Sequence, residues 1–322
     1  MEVIRAAAAL RSACDAALAR GSSVGLVPTM GALHGGHVSL LRRARHERDV
    51  VVMTLFVNPL QFGDPADLEA YPRDEAADLA TAEATGADIV FVPPVEEMIP
   101  GAGGPEVTVD PGPLGERLEG ASRPGHLRGV ATVVARLFHL VGPSTAYFGE
   151  KDAQQLALVR AMVRDLAFPV DVVGCPTVRE LDGVALSSRN QRLGPAERDA
   201  AGCLFLALSE AAELARAGER NGAVLVAAMA REIGATPLAR LDYAAVVDDE
   251  TFADIDFLDP GRPTRAVVAA RFGATRLVDN VRLSGPPGVE EDVPGSRGEP
   301  TQAAGEGLAS PRAHGSEPEG GS

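Results

Sequence analysis

The chain has 322 residues and a formal net charge of −15, with 45% hydrophobic and 23% charged residues. This length allows a sizeable core and indicates about two domains. The acidic balance argues against nucleic acid as a partner, because proteins that bind its phosphate backbone carry basic surfaces. An anionic small-molecule substrate would therefore need a local basic pocket.

The cysteines and the hydropathy pattern predict a cytoplasmic protein with no membrane partner. Cys14, Cys175 and Cys203 are odd in number and form no C-x-x-C pair, so no disulfide framework is expected. Residues 1–21 have an acidic residue at position 2 and scattered charges, which is typical of an amphipathic helix rather than a signal peptide. No apolar run approaches the roughly 20 residues that cross a bilayer.

Strand-like and helix-like segments alternate through the first half of the chain. Segment 50–57 is almost wholly apolar and β-branched, as expected of a strand buried on both faces. The alternation predicts an α/β fold with a Rossmann-like parallel sheet, which binds ligands at the carboxyl ends of its strands. The predicted strands are 24–27, 50–57, 88–92, 146–148 and 170–174, and the predicted helices are 38–47, 75–85, 129–141 and 154–166.

A second, smaller α+β domain is predicted from residue 177 to 284, after a first domain over 1–176. It has helix-like segments at 195–217 and 223–232, followed by strand-like segments at 241–247 and 264–272. Residues 285–322 are rich in Gly, Pro, Ser and Glu and lack aromatic residues. Such a segment buries too little apolar surface to offset its ordering entropy, so a disordered acidic tail is predicted.

Two histidines three residues apart lie in PTMGALHGGH (28–37), between a predicted strand and a predicted helix. A helix that begins near His34 would place His34 and His37 on one face at its N-terminus, where backbone N–H groups and the helix dipole favour phosphate. For an isolated pair of this spacing, a surface turn is the simpler interpretation. A zinc pair usually has i,i+4 spacing with a nearby carboxylate. The surrounding strand, glycines and helix favour phosphate.

Polar side chains also follow two other predicted strands. In FVNPLQF (56–62), Asn58 and Gln61 offer amide groups that bind hydroxyls and carboxylates without adding charge. In FGEKDAQQ (148–155), Lys151 suits a phosphate, and Gly149 would let a nucleotide approach the backbone. Asp152 suits ribose hydroxyls, although a helix cap is the simpler interpretation. Each cluster alone is weak evidence, because polar turns after buried strands are common.

Two further motifs carry candidate ligands. Ser187, Ser188 and Arg189 form a compact group of donors for phosphate oxygens, although a loop or helix cap would have the same composition. Tyr71 begins YPRD (71–74), which leads into a predicted helix carrying Asp78. We interpret Asp78 as either a magnesium ligand or a solvent-facing carboxylate.

Taken together and in order, these motifs resemble the pantothenate synthetase family, whose members belong to the H-x-G-H nucleotidyltransferase superfamily. The resemblance covers residues 1–284 and includes GHLRGVATVVARLF (125–138), DYAAVVD (242–248) and RFGATRLVDN (271–280). It implies ATP-dependent condensation of pantoate with β-alanine through a pantoyl adenylate, releasing AMP and pyrophosphate. It also implies Mg²⁺, a homodimer, and ATP and pantoate sites in the first domain.

The resemblance assigns the candidate residues as follows. The family often has two adjacent acidic residues where this chain has Ala77 before Asp78, and a methionine where it has Leu186. The implied catalytic residues are His34, His37, Lys151, Ser187, Ser188 and Arg189. The implied ATP-binding residues add Pro28, Thr29, Met30, Gly149, Asp152, Val178 and Leu186. The implied pantoate-binding residues are Gln61, Gln155, Asn58 and Tyr71, with Asp78 for the metal.

Two other functions fit parts of this pattern. Another H-x-G-H adenylyltransferase would use the same histidines on a phosphate-bearing acceptor, but the amides of Gln61 and Gln155 argue against a basic acceptor pocket. A catalytically inactive binding protein would keep the fold, but the full set of phosphate-binding candidates argues against it.

Overall fold

The computed structural model describes residues 1–101 and 104–284, all of which belong to one compact unit. The predicted tail at 285–322 lies outside the described residues. The predicted fold class is confirmed: a six-stranded parallel sheet is followed by a smaller three-stranded antiparallel sheet. No described helix is both long and apolar enough to cross a membrane.

The parallel sheet has its topological switch point beside its second strand. The strand order is β1-β4-β3-β2-β5-β6, so the chain runs outward from β2 in one direction and then resumes on its other side with β5. Loops that leave β2 and β5 therefore diverge and leave a crevice at the strands' carboxyl ends. The strands are β1 (Glu2–Ile4), β2 (Val24–Thr29), β3 (Val50–Leu55), β4 (Ile89–Phe91), β5 (Ser144–Gly149) and β6 (Val170–Cys175).

Helices cover both faces of this sheet, because successive residues of each strand point to opposite sides. Leu26 lies in the core cluster that includes the residues of α1, α7 and α8, while Val27 lies in the cluster that includes those of α2 and α4. The helices are α1 (Ala7–Ala19), α2 (Gly35–Glu47), α3 (Pro65–Glu69), α4 (Glu75–Thr85), α5 (Val95–Met98), α6 (Glu119–Ser122), α7 (His126–Val141) and α8 (Ala153–Asp165).

The C-terminal sheet packs between two layers. One face meets α10 and α11 in a separate core cluster. The other face contributes Val247 and Val267 to a cluster with Ala153 and Ala157 of α8, so this sheet leans on the helix that follows β5. Its elements are α9 (Pro195–Ala200), α10 (Cys203–Arg216), α11 (Gly222–Gly234), β7 (Ala239–Asp248), β8 (Thr264–Phe272) and β9 (Thr275–Ser284).

Three predictions about elements need correction. The three-residue strand β1 was not predicted, and neither was β9, whose polar residues interrupt the apolar pattern. The single helix predicted over 195–217 is two helices, α9 and α10, separated at Ala201 and Gly202. Glycine inside a helix costs up to about 1 kcal/mol relative to alanine, which favours a break there.

Candidate active site

The loop after β2 turns sharply and is anchored by a carboxylate from α4. Gly31 and Ala32 have φ angles of +83° and +51°, and a Cβ on Gly31 would lie 2.7 Å from Asp78 Oδ2. The two oxygens of Asp78 accept hydrogen bonds from the backbone N–H groups of Ala32 (2.9 Å) and Leu33 (2.8 Å). Asp78 is 6% exposed, so the solvent-facing interpretation is wrong. This carboxylate holds the loop that presents His34.

His34 and His37 use their ring nitrogens to cap α2. His34 Nδ1 accepts the N–H of Gly36 (3.1 Å), and His37 Nδ1 accepts the N–H of His34 (3.3 Å). The ring centroids are 4.2 Å apart. Because each Nδ1 is an acceptor, each neutral ring carries its proton on Nε2. Two N–H donors are thereby set side by side at a helix N-terminus.

Both imidazoles are neutral at physiological pH. Burial, together with the nearby charge of Lys151, lowers the pKa of His34 to about 4. Burial lowers the pKa of His37 to about 3, with a further contribution from His34. A neutral imidazole with its proton on Nε2 can donate one hydrogen bond to an oxygen whose negative charge grows, as an electrostatic stabiliser should.

The amide cluster after β3 is internally ordered. Asn58, 2% exposed, donates through Nδ2 to Gln61 Oε1 (3.1 Å) and to the Gly129 carbonyl (3.0 Å). The Gln61 Nε2 group lies 2.9 Å from Met30 Sδ, a weak acceptor, so it remains available to a stronger one. Asn58 therefore acts by orienting Gln61 and tying it to α7.

Residues that the sequence analysis did not single out hold the backbone of the same turn. His126 Nδ1 lies 2.9 Å from the Gln61 carbonyl, and Arg123 donates to that oxygen (3.3 Å) and approaches His126 Nε2 (3.2 Å). Burial lowers the pKa of His126 to about 4, so its Nδ1–H is the donor. The motif GHLRG contains this histidine, but only the packing of α7 against the turn reveals its partner.

An apolar wall faces the amides, built from one side of α7. Val130, Val133, Val134 and Leu137 recur at helical spacing and line the same cavity as Gln61. Their spacing is visible in the sequence, but apolar residues at i, i+3, i+4 and i+7 normally indicate a core face. In this helix part of the stripe faces a cavity.

The phosphate candidates approach from β5 and from the segment after β6. Lys151 lies in a short 3₁₀ turn directly after β5, with its Nζ 3.8 Å from an Asp152 oxygen. Ser187 caps another 3₁₀ turn by accepting the N–H of Arg189 (3.3 Å). Burial raises the pKa of Tyr71, so its hydroxyl stays protonated and available as a donor.

The structure brings seventeen of the eighteen predicted residues to one cavity of about 210 Å³ at the switch point. Asp78 is the exception, because it lies behind the loop. An adjoining cavity of about 700 Å³, between the two sheets, shares part of the lining. The seventeen are Pro28, Thr29, Met30, His34, His37, Asn58, Gln61, Tyr71, Gly149, Lys151, Asp152, Gln155, Val178, Leu186, Ser187, Ser188 and Arg189.

The described residues do not form a magnesium site made of protein ligands alone. Within residues 1–101 and 104–284, no group of three or more His, Cys, Asp or Glu side chains is arranged to hold a metal. Both oxygens of Asp78 are already hydrogen-bonded to backbone N–H groups. Mg²⁺ commonly binds through one or two carboxylates together with substrate phosphates and water. The donor set thus fits an ion that arrives with a nucleotide.

The sheet topology and the histidine pair define a nucleotide-binding α/β enzyme of the H-x-G-H type. The sequence profile of the Pantoate-beta-alanine ligase family matches residues 2–282. The chain belongs to this family, and its class of enzyme is a ligase.

Relatives and solved structures agree with this assignment. The pantothenate synthetase of Rubrobacter xylanophilus is 54% identical, over 82% of this chain and 92% of that protein. The enzyme of Roseiflexus sp. (strain RS-1) is 52% identical, over 88% of this chain and 99% of that protein. The crystal structure of pantothenate synthetase from Thermus thermophilus matches with a TM-score of 0.81 at 49% identity, covering 88% of this chain and 100% of that one.

A ligand-bound structure is also similar. Pantoate-beta-alanine ligase from Francisella tularensis, complexed with beta-gamma ATP and beta-alanine, matches with a TM-score of 0.70 at 31% identity. The match covers 87% of this chain and 97% of that one. These relatives favour a ligase over the other two functions considered from the sequence.

Proposed function

We propose that this protein condenses pantoate with β-alanine at the expense of ATP, through a pantoyl adenylate, releasing AMP and pyrophosphate. The observation that carries the proposal is the composition of the cavity. Two neutral imidazole donors at a helix N-terminus adjoin a chamber with amides on one side and aliphatic side chains on the other. That combination suits a phosphate and a small branched hydroxy acid.

The first step activates the acid. A carboxylate is a poor acyl donor, so an oxygen of pantoate attacks the α-phosphorus of ATP and pyrophosphate leaves. The Nε2–H groups of His34 and His37 donate to the phosphate as its charge redistributes, and Lys151 neutralises the departing oxygens. Ser187, Ser188 and Arg189 complete the phosphate-binding group, because hydroxyl and guanidinium donors favour phosphate oxygens.

The amides select the acid without neutralising it. Gln61 and Gln155 line the chamber and bring no formal charge, so a bound carboxylate keeps its nucleophilic character. The aliphatic side chains of Val133, Val134 and Leu137 suit the methyl groups of pantoate. Asn58 orients Gln61, and Tyr71 borders the same cavity.

The second step needs no protein nucleophile. The neutral amine of β-alanine attacks the acyl carbon of the adenylate, the acyl C–O bond to the phosphate breaks, AMP departs, and the new amide nitrogen loses a proton to solvent. The contribution of the protein is to hold the two reactants in line and to exclude water, since effective concentrations from good positioning reach very high values.

The remaining candidate residues would contact the nucleoside part of ATP and the metal ion. Asp152 and Gly149 would meet the ribose. Mg²⁺ would be held mainly by ATP oxygens. Asp78 would have only its remaining lone pairs to offer, because each of its oxygens already accepts a backbone N–H. The backbone and side chains proposed to meet the rest of ATP are Pro28, Thr29, Met30, Val178 and Leu186.

The proposal includes a homodimer in the cytoplasm. The three cysteines of the protein are buried and form no disulfide, which suits a reducing compartment. Sedimentation of the purified chain measures the oligomeric state, and a single monomeric species would exclude the dimer.

A product assay tests the reaction. Purified protein is incubated with ATP, Mg²⁺, pantoate and β-alanine, and each component is omitted in turn. Pantothenate and AMP should form only in the complete mixture. Exchange of labelled pyrophosphate into ATP should require pantoate but not β-alanine, because only the first step is involved. Absence of pantoate-dependent exchange would overturn the proposal.

A further inference from the structure

We propose that two consecutive residues of β9, Asp279 and Asn280, hold two segments of the proposed ATP site at a fixed distance from each other. One segment is the 3₁₀ turn that carries Lys151, and the other is the hairpin at 178–186 that leads into Ser187. We call this pair of residues the clamp. The inference rests on the proposed function, because it concerns how the C-terminal sheet positions groups of the same cavity. It accounts for a motif, RFGATRLVDN, that none of the roles above explains. Asp279 and Asn280 act through other residues and are positioning residues.

Asn280 holds the 3₁₀ turn that carries Lys151. Its Nδ2 group donates to the carbonyls of Glu150 (2.9 Å) and Lys151 (2.8 Å). Both amide hydrogens are thereby used, and the residue is only 5% exposed. The turn connects β5 to α8, so an amide from the other sheet holds the backbone at Lys151.

Arg265 fixes the orientation of that amide. Its guanidinium donates to Asn280 Oδ1, to Asp249 and, at 3.3 Å, to Glu150 Oε2. The Asn280 oxygen must therefore face β8 and its NH₂ group must face the turn. The Arg265 side chain is 2% exposed, so this contact is shielded from water. An amide flip would place like groups against each other on both sides.

Asp279 holds the other ATP-binding segment. Its carboxylate takes a bidentate pair of hydrogen bonds from Arg179, at 2.6 and 2.9 Å. Arg179 also donates to the Gly183 carbonyl (2.9 Å), across a small hairpin whose ends are joined by the bond from Leu186 N–H to the Val178 carbonyl (2.9 Å). The hairpin leads directly into Ser187, Ser188 and Arg189.

The two anchors are one peptide unit apart, about 3.8 Å between Cα atoms. The spacing between Lys151 and the hairpin is therefore transmitted through one stiff piece of β-strand. Buried ion pairs contribute little net stability, because desolvation offsets their attraction, whereas apolar residues would hold two layers together at least as well. We therefore infer that the charged and amide side chains at this junction fix the relative positions of the two segments more than they stabilise the fold.

The test uses variants that change the donors and keep the shape. Asn280→Asp keeps a partner for Arg265 but turns an acceptor toward the two carbonyls. Asp279→Asn removes the negative charge that forms the ion pair with Arg179. We expect each to lower kcat/KM for ATP by about 10- to 100-fold in pyrophosphate exchange, as small displacements of reacting groups do. The KM for pantoate should change less than kcat/KM for ATP, since Gln61, one of the two amides proposed to hold pantoate, is oriented by a different set of contacts.

Val281→Ala is the matched control. Val281 is the next residue of β9, and its side chain lies on the face opposite that of Asn280, against the core formed with α10 and α11. It should lower the thermal unfolding midpoint and leave kcat/KM for ATP within twofold. Equal kinetic losses in both variants would mean that the strand contributes only general stability, and the clamp would be rejected.

A double-mutant cycle decides whether Asn280 acts through Lys151. Asn280→Ala should cost much less in a Lys151→Ala background than in the wild type, because its target is gone. Costs that simply multiply would overturn the inference. Calorimetric binding of ATP alone is measured in parallel and needs no turnover. If the wild type bound ATP without making adenylate, the proposed function would fail. Weaker ATP binding by Asn280→Asp than by the wild type would still support the clamp in that case. Equal ATP binding by the two proteins would reject the clamp.

Discussion

The Nδ1 atom of His37 accepts the backbone N–H of His34, with 3.3 Å between the two nitrogens. The bond satisfies one of the N–H groups that a helix leaves unpaired at its N-terminus. It also forces the proton of His37 onto Nε2. One contact therefore caps the helix and determines which hydrogen is offered to the phosphate.

His34→Asn separates these two tasks. The asparagine oxygen can still accept the Gly36 N–H, since Asn is a favoured N-cap residue, but no ring N–H reaches the phosphate. We expect pantoate-dependent pyrophosphate exchange to fall about 100-fold or more, with little change in the unfolding midpoint. His34→Ala should lose the rate and the cap together. Ser39→Ala, which removes a hydroxyl bonded to the Gly36 carbonyl, should keep the rate. A normal rate in His34→Asn would exclude the donor role.

Asp78→Asn tests whether this carboxylate is a loop anchor or a magnesium ligand. An amide keeps one acceptor and turns N–H donors toward the N–H of Ala32 or Leu33, which should cost about 1–3 kcal/mol of stability. We expect slower adenylate formation with an unchanged dependence on Mg²⁺ concentration. Asp74→Asn, at the exposed N-cap of the same helix, should be neutral. A large rise in the Mg²⁺ needed for half-maximal rate would instead identify Asp78 as a ligand.

Gly129→Ala should disturb pantoate binding through the backbone. A Cβ at Gly129 would lie 2.3 Å from the Leu60 carbonyl oxygen, so α7 would have to move away from the turn that carries Gln61. We expect destabilisation of about 1–3 kcal/mol and a raised KM for pantoate. Gly234→Ala, in a helix with nothing within 4 Å of the new Cβ, should leave both quantities unchanged or slightly improve stability. An unchanged KM in Gly129→Ala would contradict the coupling.

His126 should make stability depend on pH. Its pKa in the folded protein is about 4, below the value of about 6.5 in an unfolded chain. The unfolded state therefore binds the proton more readily between these values, and stability falls as pH drops from about 6.5 to about 4. The loss from this residue approaches roughly 3 kcal/mol at the acid end. Denaturant unfolding of His126→Gln at several pH values should give a shallower decline, and parallel curves would contradict the assignment.

The sequence predicts the features that depend on residues close together along the chain, such as helix caps. Helix α4 begins and ends where predicted, because Asp74 caps its first turn and Gly86, with φ of +92°, ends it. The strand-to-helix junctions also indicate the carboxyl ends of the strands, where the structure brings the candidate residues to one cavity. By contrast, β9 was missed because residues such as Asp279 and Asn280 interrupt its apolar pattern.

Contacts between distant segments account for the rest. Asp78 lies 46 residues from the N–H group of Ala32, and Asn280 lies 129 residues from the Lys151 carbonyl that it binds. Periodicity and capping rules concern neighbours along the chain, so they identify these side chains as polar without indicating their partners. Packing of α7 likewise turns part of an apolar stripe into the wall of a cavity.

The position of Asn280 near the end of the last strand has a consequence for the order in which the enzyme becomes functional during its synthesis. Ribosomes make proteins from the N-terminus, and early segments fold first. The parallel sheet, the histidines and Lys151 are all present long before residue 280 emerges. The lysine turn obtains its amide partner only after almost all of the described chain has been made. A nascent chain that has not reached residue 280 therefore lacks the two hydrogen bonds that hold the turn carrying Lys151.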